Sequence, residues 1–416
     1  MLNRVKKIFE LEAATGVLLV VATALALVLA NSRFFEVYQN FLAFELRFDF
    51  WVLGQNFIQK FYIDQSFGQN FEIGKNFAQV FSVNKGLSIQ HFVNDALMTL
   101  FFLLVALELK EEVLTGELSS KARAMLPAIA ALGGVLFPAL IFYFCNFNQP
   151  QNWRGFAIPT ATDIAFAYGV ICLFGKKISK SLKVFLISLA IFDDLIAIFL
   201  IAFFYSQNLD LLYFVWAFLV VLFLGFLNWR NVQKIWAYLV LGVVLWWLVL
   251  KSGIHPTIAG VALAMFIPNQ NGFSQKIIKK IAPVVNFLIL PIFAFANSGV
   301  VIKNFSSEIF LQPLVFGIIL ALFFGKQIGV MLFSFFAIKM GFCHLPRGSK
   351  GECSWLEFYG IAVLTGIGFT MSFFIGALAF AQNHALFDQV KIAVLSASFL
   401  AALFGSLIIY LSLAKK

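Results

Sequence analysis

The chain has 416 residues, of which 61% are hydrophobic and only 12% are charged, and its mean hydropathy is +0.92. Soluble domains carry about 25% charged residues on average, so this composition excludes an ordinary soluble fold. The formal net charge of +10 could suggest a nucleic-acid partner, but most of the basic residues lie between apolar segments, as they do in membrane proteins.

Apolar segments of about 20 residues, each long enough to span a bilayer, recur along the chain. We expect one transmembrane domain over residues 1–416, without an appended soluble domain. The first segment follows MLNRVKKIFELEAATG, which lacks a small-residue cleavage site. It therefore predicts a retained helix, with a signal peptide as the alternative. Hydropathy predicts about twelve spans, near residues 13–30, 94–109, 124–146, 155–174, 184–205, 212–228, 235–250, 254–267, 283–300, 313–337, 358–381 and 389–412.

The basic residues indicate the orientation of these spans. When the loops are assigned alternately to two sides, the first side holds 20 Lys and Arg residues and the other holds nine. Cytoplasmic loops carry the excess of basic residues in membrane proteins. We therefore expect both termini in the cytoplasm, an even number of spans and no nucleic-acid partner. The remaining basic residue, Lys326, lies in the middle of a predicted span.

The segment 31–90 is predicted to be a long extracellular loop. Stretches such as FELRFDFWVL alternate apolar and polar residues between glycines, which favours short strands or a β-hairpin. Exposed strand edges can pair between protomers. A homodimer contact through this loop and an ordered cap without a partner both remain open.

The fourth span, GFAIPTATDIAFAYGV, is interrupted at Pro159, which cannot donate a backbone hydrogen bond. Thr162 and Asp163 follow directly. The eleventh span, VLTGIGFTMSFF, has a matching interruption at Gly366 and Gly368. Two interrupted helices in corresponding halves indicate a transporter site at the membrane midplane. We expect Asp163 to balance the positive N-terminal helix ends there, and a lysine to balance the negative C-terminal ends.

The fifth span, VFLISLAIFDDLIAIFLIAFF, contains two adjacent aspartates, Asp193 and Asp194, and no other charged residue. Each ionised carboxylate in hydrocarbon costs roughly 2.5–3.5 kcal/mol or more. A cation, a proton or a buried base must offset this cost, and Lys326 in ALFFGKQIGVMLF is the buried base. Adjacent helical residues point about 100° apart, so one aspartate could face Lys326 and the other an ion pathway.

Carboxylate oxygens suit hard cations such as Na⁺ and Li⁺. A carboxylate that binds either a cation or a proton is by itself an exchanger. The structural alternative is a static buried ion pair. It would explain one aspartate with Lys326, but not three aspartates against one lysine.

Several polar residues outside these motifs have two readings. Glu108 and Glu112 are four residues apart on one helix face and could line a cytoplasmic funnel for cations or belong to a solvated helix end. His255, in KSGIHPTIAG, titrates near neutral pH and could sense pH or simply lie at the interface. Asn94 and Asp95 are predicted to cap the N-terminus of the second span.

The whole chain resembles the bacterial NhaA-type Na⁺/H⁺ antiporters. The resemblance implies an all-α polytopic protein of the bacterial inner membrane with the NhaA fold. In that fold two inverted repeats place the broken helices carrying Asp163 and Gly366–Gly368 across each other at the midplane. It also implies an extracellular β-hairpin that forms a homodimer contact. The segments that carry the resemblance occur in order from the second span to the eleventh: FVNDALMTLFFLLVALELK, AIPTATDIAFAYGV, LAIFDDLIAI, LKSGIHPTIAGV, LILPIFAFANSGV, GKQIGV and LTGIGFTMS.

The resemblance also implies a role for each motif. Asp194 would bind Na⁺ or Li⁺ and exchange protons, and Asp193 would do the same or pair with Lys326, which could itself carry a proton. Thr162 and Asp163 would stabilise the crossing and lie near the ion. The protein would be an electrogenic antiporter that serves pH and sodium homeostasis, with two protons per sodium ion. It would not be an enzyme, and it would need no cofactor besides the transported ions.

This chain departs from the family pattern in two places. The 31–90 loop is longer than usual. The segment before LILPIFAFAN reads QKIIKKIAPVVNF, with lysines where the family usually has an acidic residue and histidines. Since that segment belongs to the family's cytoplasmic pH-sensing region, we expect a different pH threshold.

Three other functions compete with antiport. An intramembrane aspartyl protease needs two aspartates facing each other from different helices, as Asp163 and Asp193 could, but the chain has no GxGD motif. A membrane prenyltransferase needs a DDxxD-like motif, and DDLIAI lacks the third carboxylate. The closest rival is a related transporter of an organic anion such as bile acid, which would not need an aspartate pair with a buried lysine.

Overall fold

The computed structural model describes residues 2–46, 87–206, 209–302, 306–348 and 351–414. Most of these residues are helical, in line with the predicted fold class. In chain order the helices are α1 (Leu2–Ala30), α2 (Phe35–Ala43), α3 (Ile89–Leu114), α4 (Lys121–Cys145), α5 (Ile164–Cys172), α6 (Lys180–Phe204), α7 (Leu211–Trp229), α8 (Ile235–Ser252), α9 (Thr257–Phe266), α10 (Gln270–Ser298), α11 (Pro313–Lys339), α12 (Trp355–Leu364), α13 (Phe369–Ala379) and α14 (His384–Ala414). A 3₁₀ helix, Pro150–Thr160, precedes α5.

Eight of the helices in the described part of the chain are long and apolar enough to cross a membrane: α3, α4, α6, α7, α8, α10, α11 and α14. Three bent pairs raise the number to eleven if each pair is one span. The chain is therefore a polytopic helical membrane protein. The predicted count of about twelve is not confirmed, because α9, at the position of the eighth predicted span, has only 10 residues.

The bent pairs explain where the predicted breaks fall. The 3₁₀ helix meets α5 at 43°, and α12 meets α13 at 41°. These are the fourth and eleventh predicted spans, and both breaks fall within the motifs that predicted them. The third bend, 114° between α1 and α2, was not predicted, because α2 lies inside the loop that was expected to contain strands.

In the described part of the chain, short strands occur at two places. Glu45–Leu46 (β1) pairs antiparallel with Leu87–Ser88 (β2), so the two ends of the long loop meet. Residues 47–86 lie outside the described residues, and the predicted β-hairpin therefore stays a prediction. The second ladder joins Arg347–Gly348 (β3) to Gly351–Glu352 (β4).

The start of α3 differs from the prediction. The helix begins at Ile89, where the Ser88 side chain caps it by accepting a hydrogen bond from the His91 amide at 3.2 Å. The predicted N-cap at Asn94 and Asp95 is therefore wrong. Both residues lie one turn further on, inside a π turn, Val93–Leu97. The helix starts earlier because the chain enters it from a short β-ladder rather than from an open loop.

Close backbone packing brings α11 against α4. Gly133 of α4 and Gly329 of α11 face each other so closely that a Cβ on either would collide with the carbonyl of the other. Gly325, one turn earlier, lies against Pro138. Small residues at such contacts allow membrane helices to approach each other closely. As a result Lys326, which lies between Gly325 and Gly329 in α11, is buried deep inside the protein.

The candidate site lies in the main hydrophobic core. This core includes residues of the 3₁₀ helix, α5, α6, α11, α12 and α13, together with α1, α4, α10 and α14. By contrast, only Ala217 and Leu224 of α7 are buried, so this helix is peripheral and turns most of its apolar side chains outward. The broken helices are thus surrounded by protein, as irregular backbone at membrane depth requires.

Candidate functional site

The two helix breaks contact each other directly. The first break separates Thr160 from Ile164, and the second separates Leu364 from Phe369. The Asp163 amide donates to the Ile367 carbonyl at 2.7 Å. The structure therefore brings the two interrupted spans together at the point where each loses its helical hydrogen bonds.

The glycines of the second break are needed for space. Gly366 lies against the carbonyl of Leu322 in α11, and a Cβ there would collide with it. A Cβ on Gly368 would collide with the Ser372 side chain and would lie 2.9 Å from a methyl group of Leu322. Neither glycine has the positive φ that only glycine adopts easily. Their function in the fold is therefore to let α11 approach the break.

Asp163 caps two helices at once. Its Oδ1 accepts a hydrogen bond from the Phe166 amide at 2.9 Å, which caps α5. Its Oδ2 accepts from the Thr370 amide at 3.0 Å and from the Thr370 hydroxyl, which caps α13. A negative charge is favoured at helix N-termini, where unpaired amides carry partial positive charge. One carboxylate thus serves two facing half-helices.

Lys326 serves the opposite helix end. Its side chain is fully buried, and Nζ donates to the Thr160 carbonyl at 2.6 Å and to Oδ2 of Asp193. Thr160 ends the 3₁₀ helix, where unpaired carbonyls carry partial negative charge. The predicted charge balance across the broken helices matches this geometry.

Asp193 is the aspartate that pairs with the lysine. Its Oδ2 accepts from Lys326 and from the Thr162 hydroxyl at 2.7 Å. The same hydroxyl lies 2.8 Å from the Thr365 carbonyl at the end of α12. Since a hydroxyl has one hydrogen, Thr162 can donate to only one of these two acceptors at a time.

Asp194 has a different environment. Its side chain is fully buried, and neither carboxylate oxygen has a hydrogen-bond partner among the described residues. The charges of Asp193, Asp163 and Lys326 lie within electrostatic range of it. Lys326 is engaged by Asp193, and Asp163 is engaged by helix amides. A carboxylate buried in this way is costly when it is ionised, unless a cation is bound, and protonation removes the charge altogether.

The three aspartates do not form one metal cluster. Within the described ranges no group of three or more His, Cys, Asp or Glu side chains converges closely enough to hold a metal ion. Both carboxylate oxygens of Asp163 accept hydrogen bonds from backbone and hydroxyl donors. Of the three, Asp194 and Oδ1 of Asp193 retain unpaired oxygens in the described structure, and carboxylate oxygen is the ligand that hard cations prefer.

The other predicted site residues lie apart from this centre. Glu108 and Glu112 are in the last turns of α3, within electrostatic range of each other. His255 lies between α8 and α9, with Nδ1 2.8 Å from the Thr257 hydroxyl and Nε2 3.5 Å from Oδ1 of Asp95. The hydrogen-bond partners of the three aspartates include none of Glu108, Glu112 and His255. Their funnel and pH-sensing roles stay predictions.

One structural charge was missed by sequence reasoning. Lys110 is one of the basic residues that the sequence analysis counts on the cytoplasmic side, yet its Nζ donates to three carbonyls at the end of α9: Ala264 (3.3 Å), Met265 (2.7 Å) and Ile267 (2.6 Å). A lysine here satisfies carbonyls that a ten-residue helix leaves unpaired. The only signal in the sequence was an amphipathic side chain near the end of a long apolar helix.

Comparison of the sequence with known proteins places the chain in a family. The family model described as Na⁺/H⁺ antiporter 1 matches residues 6–66 and 57–409. The two matched stretches overlap inside the long 31–90 loop. An antiporter named Na⁺/H⁺ antiporter NhaA from Pelagibacter ubique is 43% identical over 410 residues, covering 97% of this chain and 96% of the relative.

Other relatives are similar over the same length. Na⁺/H⁺ antiporter NhaA from Campylobacter curvus is 41% identical over 416 residues, covering 99% of this chain and 96% of its own. The protein of that name from Shewanella frigidimarina is 42% identical over 406 residues, covering 96% and 94%. These relatives are named as transporters and not as enzymes. The chain belongs to the NhaA-type Na⁺/H⁺ antiporter family.

Proposed function

We propose that this protein is an electrogenic secondary antiporter of the bacterial inner membrane. It exchanges cytoplasmic Na⁺ or Li⁺ for external protons and thereby serves pH and sodium homeostasis. The observation that carries the proposal is Asp194, a fully buried carboxylate with no hydrogen-bond partner for either oxygen among the described residues. Family membership supports Na⁺ and H⁺ as the exchanged ions, because the relatives carry that name.

Competition at Asp194 couples the two ions. A proton on Asp194 neutralises the buried charge, and a cation does the same through the oxygens. The carboxylate cannot bind the proton and the cation tightly at the same time, since protonation removes the charge that attracts the cation. Binding of a cation therefore releases a proton, and binding of a proton releases the cation. Oxygen ligands favour Na⁺ and Li⁺ over softer metals.

The Asp193–Lys326 pair provides the second proton. With Lys326 charged and Asp193 ionised the pair is neutral overall. If the incoming cation engages Asp193, Lys326 loses its partner, and burial then disfavours its charge. Lys326 would release its proton as Asp194 releases another. Two protons exchanged for one sodium ion transfer net charge, which makes the exchange electrogenic.

The crossing of the broken helices allows alternating access. Asp163 and Thr162 hold the two breaks together, so the ion site keeps its shape while surrounding helices move. We place this crossing at the centre of two inverted repeats with twelve spans and cytoplasmic termini. Glu108 and Glu112 would attract cations at the cytoplasmic entrance, and His255 would modulate the response to pH. The 31–90 loop would form the homodimer contact.

The competing functions fit the site less well. An aspartyl protease would need Asp163 and Asp193 to share a proton and a water, yet both Asp163 oxygens accept hydrogen bonds from helix N-termini. A prenyltransferase would need a third carboxylate beside the adjacent pair. An organic-anion transporter remains the nearest alternative, but the carboxylate of Asp194, with Asp163 within electrostatic range, would repel such a substrate.

The deciding experiment measures discharge of a proton gradient in everted vesicles that lack other antiporters. We expect Na⁺ and Li⁺ to collapse the gradient with the wild-type protein and not with Asp194→Asn. Asp210→Asn is the matched control, because Asp210 caps α7 away from the site and asparagine caps a helix equally well. Absence of cation-dependent collapse at every pH in the wild type would refute antiport and direct the search to organic anions.

A further inference from the structure

The turn that precedes Lys326 is irregular. Ala321–Gly325 is a π turn, and the Lys326 amide donates to the Ala321 carbonyl, five residues back instead of four. A π turn inserts one residue into a helix and so changes the direction of every side chain that follows. The orientation of Lys326 towards Asp193 therefore depends on whether this turn is kept.

The next residue, Gln327, holds the π turn. Its side chain is almost completely buried. Its Nε2 donates to the Phe323 carbonyl inside the π turn, and its Oε1 accepts a hydrogen bond from the Tyr359 hydroxyl. A single amide thus connects the irregular turn of α11 with α12.

The segment directly after α12 also contacts the ion site. The Thr365 carbonyl, directly after α12, faces the Thr162 hydroxyl, which also faces Asp193. Asp193 in turn binds Lys326. The Gln327–Tyr359 bond therefore completes a ring of contacts. The ring runs from Tyr359 along α12 to Thr365, then through Thr162 and Asp193 to Lys326, which is next to Gln327.

The bond between Gln327 and Tyr359 lies in largely apolar surroundings. Gln327 and Tyr359 line a groove of about 440 Å³ between α11 and α12, whose other walls are apolar and include Met331, Phe335 and Trp355. Lipid chains can enter such a groove, but they cannot form hydrogen bonds. Loss of the tyrosine hydroxyl would leave the glutamine oxygen unsatisfied and the π turn less firmly held.

We propose that Gln327 and Tyr359 are positioning residues for the Lys326–Asp193 pair. They fix the π turn and, through it, the angle at which Lys326 meets the carboxylate. This inference rests on the proposed function of Lys326 in proton exchange. A merely structural bond between helices would affect stability and leave the ionic behaviour of the site unchanged.

The test uses Tyr359→Phe, Gln327→Met and the double variant, assayed for Na⁺-driven discharge of a proton gradient as a function of pH. The charged group within range of Lys326 besides Asp193 is Asp194 from α6, and Asp163 from the first break lies within range of Asp194. From α4, Gly134 lies against the Lys326 side chain. We expect each single variant to shift the half-maximal pH by about half a unit or more. The double variant should shift it no further than Gln327→Met alone, because Gln327→Met already removes the bond that Tyr359→Phe removes.

Phe324→Leu is the matched control, because Phe324 lies in the same π turn but faces outward. Unchanged pH profiles in active Tyr359→Phe and Gln327→Met proteins would overturn the positioning proposal and leave antiport standing. Absence of antiport in the wild type would overturn both. For a variant without transport, the pH dependence of Na⁺-induced thermal stabilisation decides: a shifted curve supports the proposal, and a wild-type curve contradicts it.

Discussion

Lys326 and Asp193 form an ion pair in which neither side chain has exposed surface. Taking two charges out of water is costly, and the pair is stable only while both partners remain. The lysine also donates to Thr160, so its removal affects the end of a helix as well as the aspartate.

Removal of one partner is expected to destabilise the protein more than removal of both. Lys326→Met should cost about 3–5 kcal/mol, since it leaves Asp193 buried without its counter-charge. Lys326→Met with Asp193→Asn should recover most of this loss. Thermal unfolding in detergent measures the difference. A double variant as unstable as the sum of the two single variants would contradict the coupling.

Asp163→Asn is expected to lower both stability and transport. The amide can accept hydrogen bonds only at its oxygen, so either the α5 cap or the α13 cap is lost, at about 0.5–2 kcal/mol. The uncompensated N-termini would then disfavour a cation at Asp194 as well. The thermal unfolding temperature and the rate of gradient discharge should both decrease. Thr370→Val, which removes only one donor, should have a smaller effect.

Competition between protons and sodium predicts a specific pH dependence. Where Asp194 holds a proton before the cation binds, lowering the pH by one unit should raise the apparent KM for Na⁺ by up to about tenfold per competing proton. The maximal rate should change less than KM in this range. Initial rates measured over a grid of pH and Na⁺ concentration would reveal this, and a KM independent of pH would argue against a shared site.

Gly329→Ala is expected to push α11 away from α4. The added methyl group would collide with the Gly133 carbonyl, and overpacking of this kind costs about 1–3 kcal/mol. Because Lys326 lies one turn earlier on the same helix, transport should fall together with stability. Gly225→Ala is the control, since a Cβ there would make only an ordinary 3.4 Å contact with Phe266. Equal stability of the two variants would contradict the close contact.

The sequence predicted the centre of the site because charge inside an apolar segment is costly and therefore conspicuous. Asp193, Asp194 and Lys326 stand out on hydropathy alone, and Pro159 marks the break that lies beside them. Which aspartate meets the lysine could not be predicted. Lys326 follows directly on a π turn, and the letters ALFFG have no pattern that distinguishes a π turn from an ordinary helix.

Other differences have similar physical causes. The α3 cap was assigned to Asn94 and Asp95 because these are good capping residues, but Ser88 precedes them and takes that position. The helix α2 was missed because the aromatic and polar residues of EVYQNFLA fit a strand as well as a helix. Lys110 could not be assigned to α9, since its partners lie more than 150 residues away in sequence.

Asp163 caps two helices that are far apart in the chain, and this has a consequence for biosynthesis. Its partner Thr370 lies 207 positions later in the chain, and Lys326 lies 133 positions after Asp193. At a synthesis rate of about 5–20 residues per second, Asp163 precedes Thr370 by about 10–40 s. Until Lys326 is made, Asp193 lacks its counter-charge, and until Thr370 is made, Asp163 caps only α5. Assembly of the site is therefore a late event, and a ribosome-bound chain that ends before Thr370 is expected to hold the first broken helix only loosely in the bilayer.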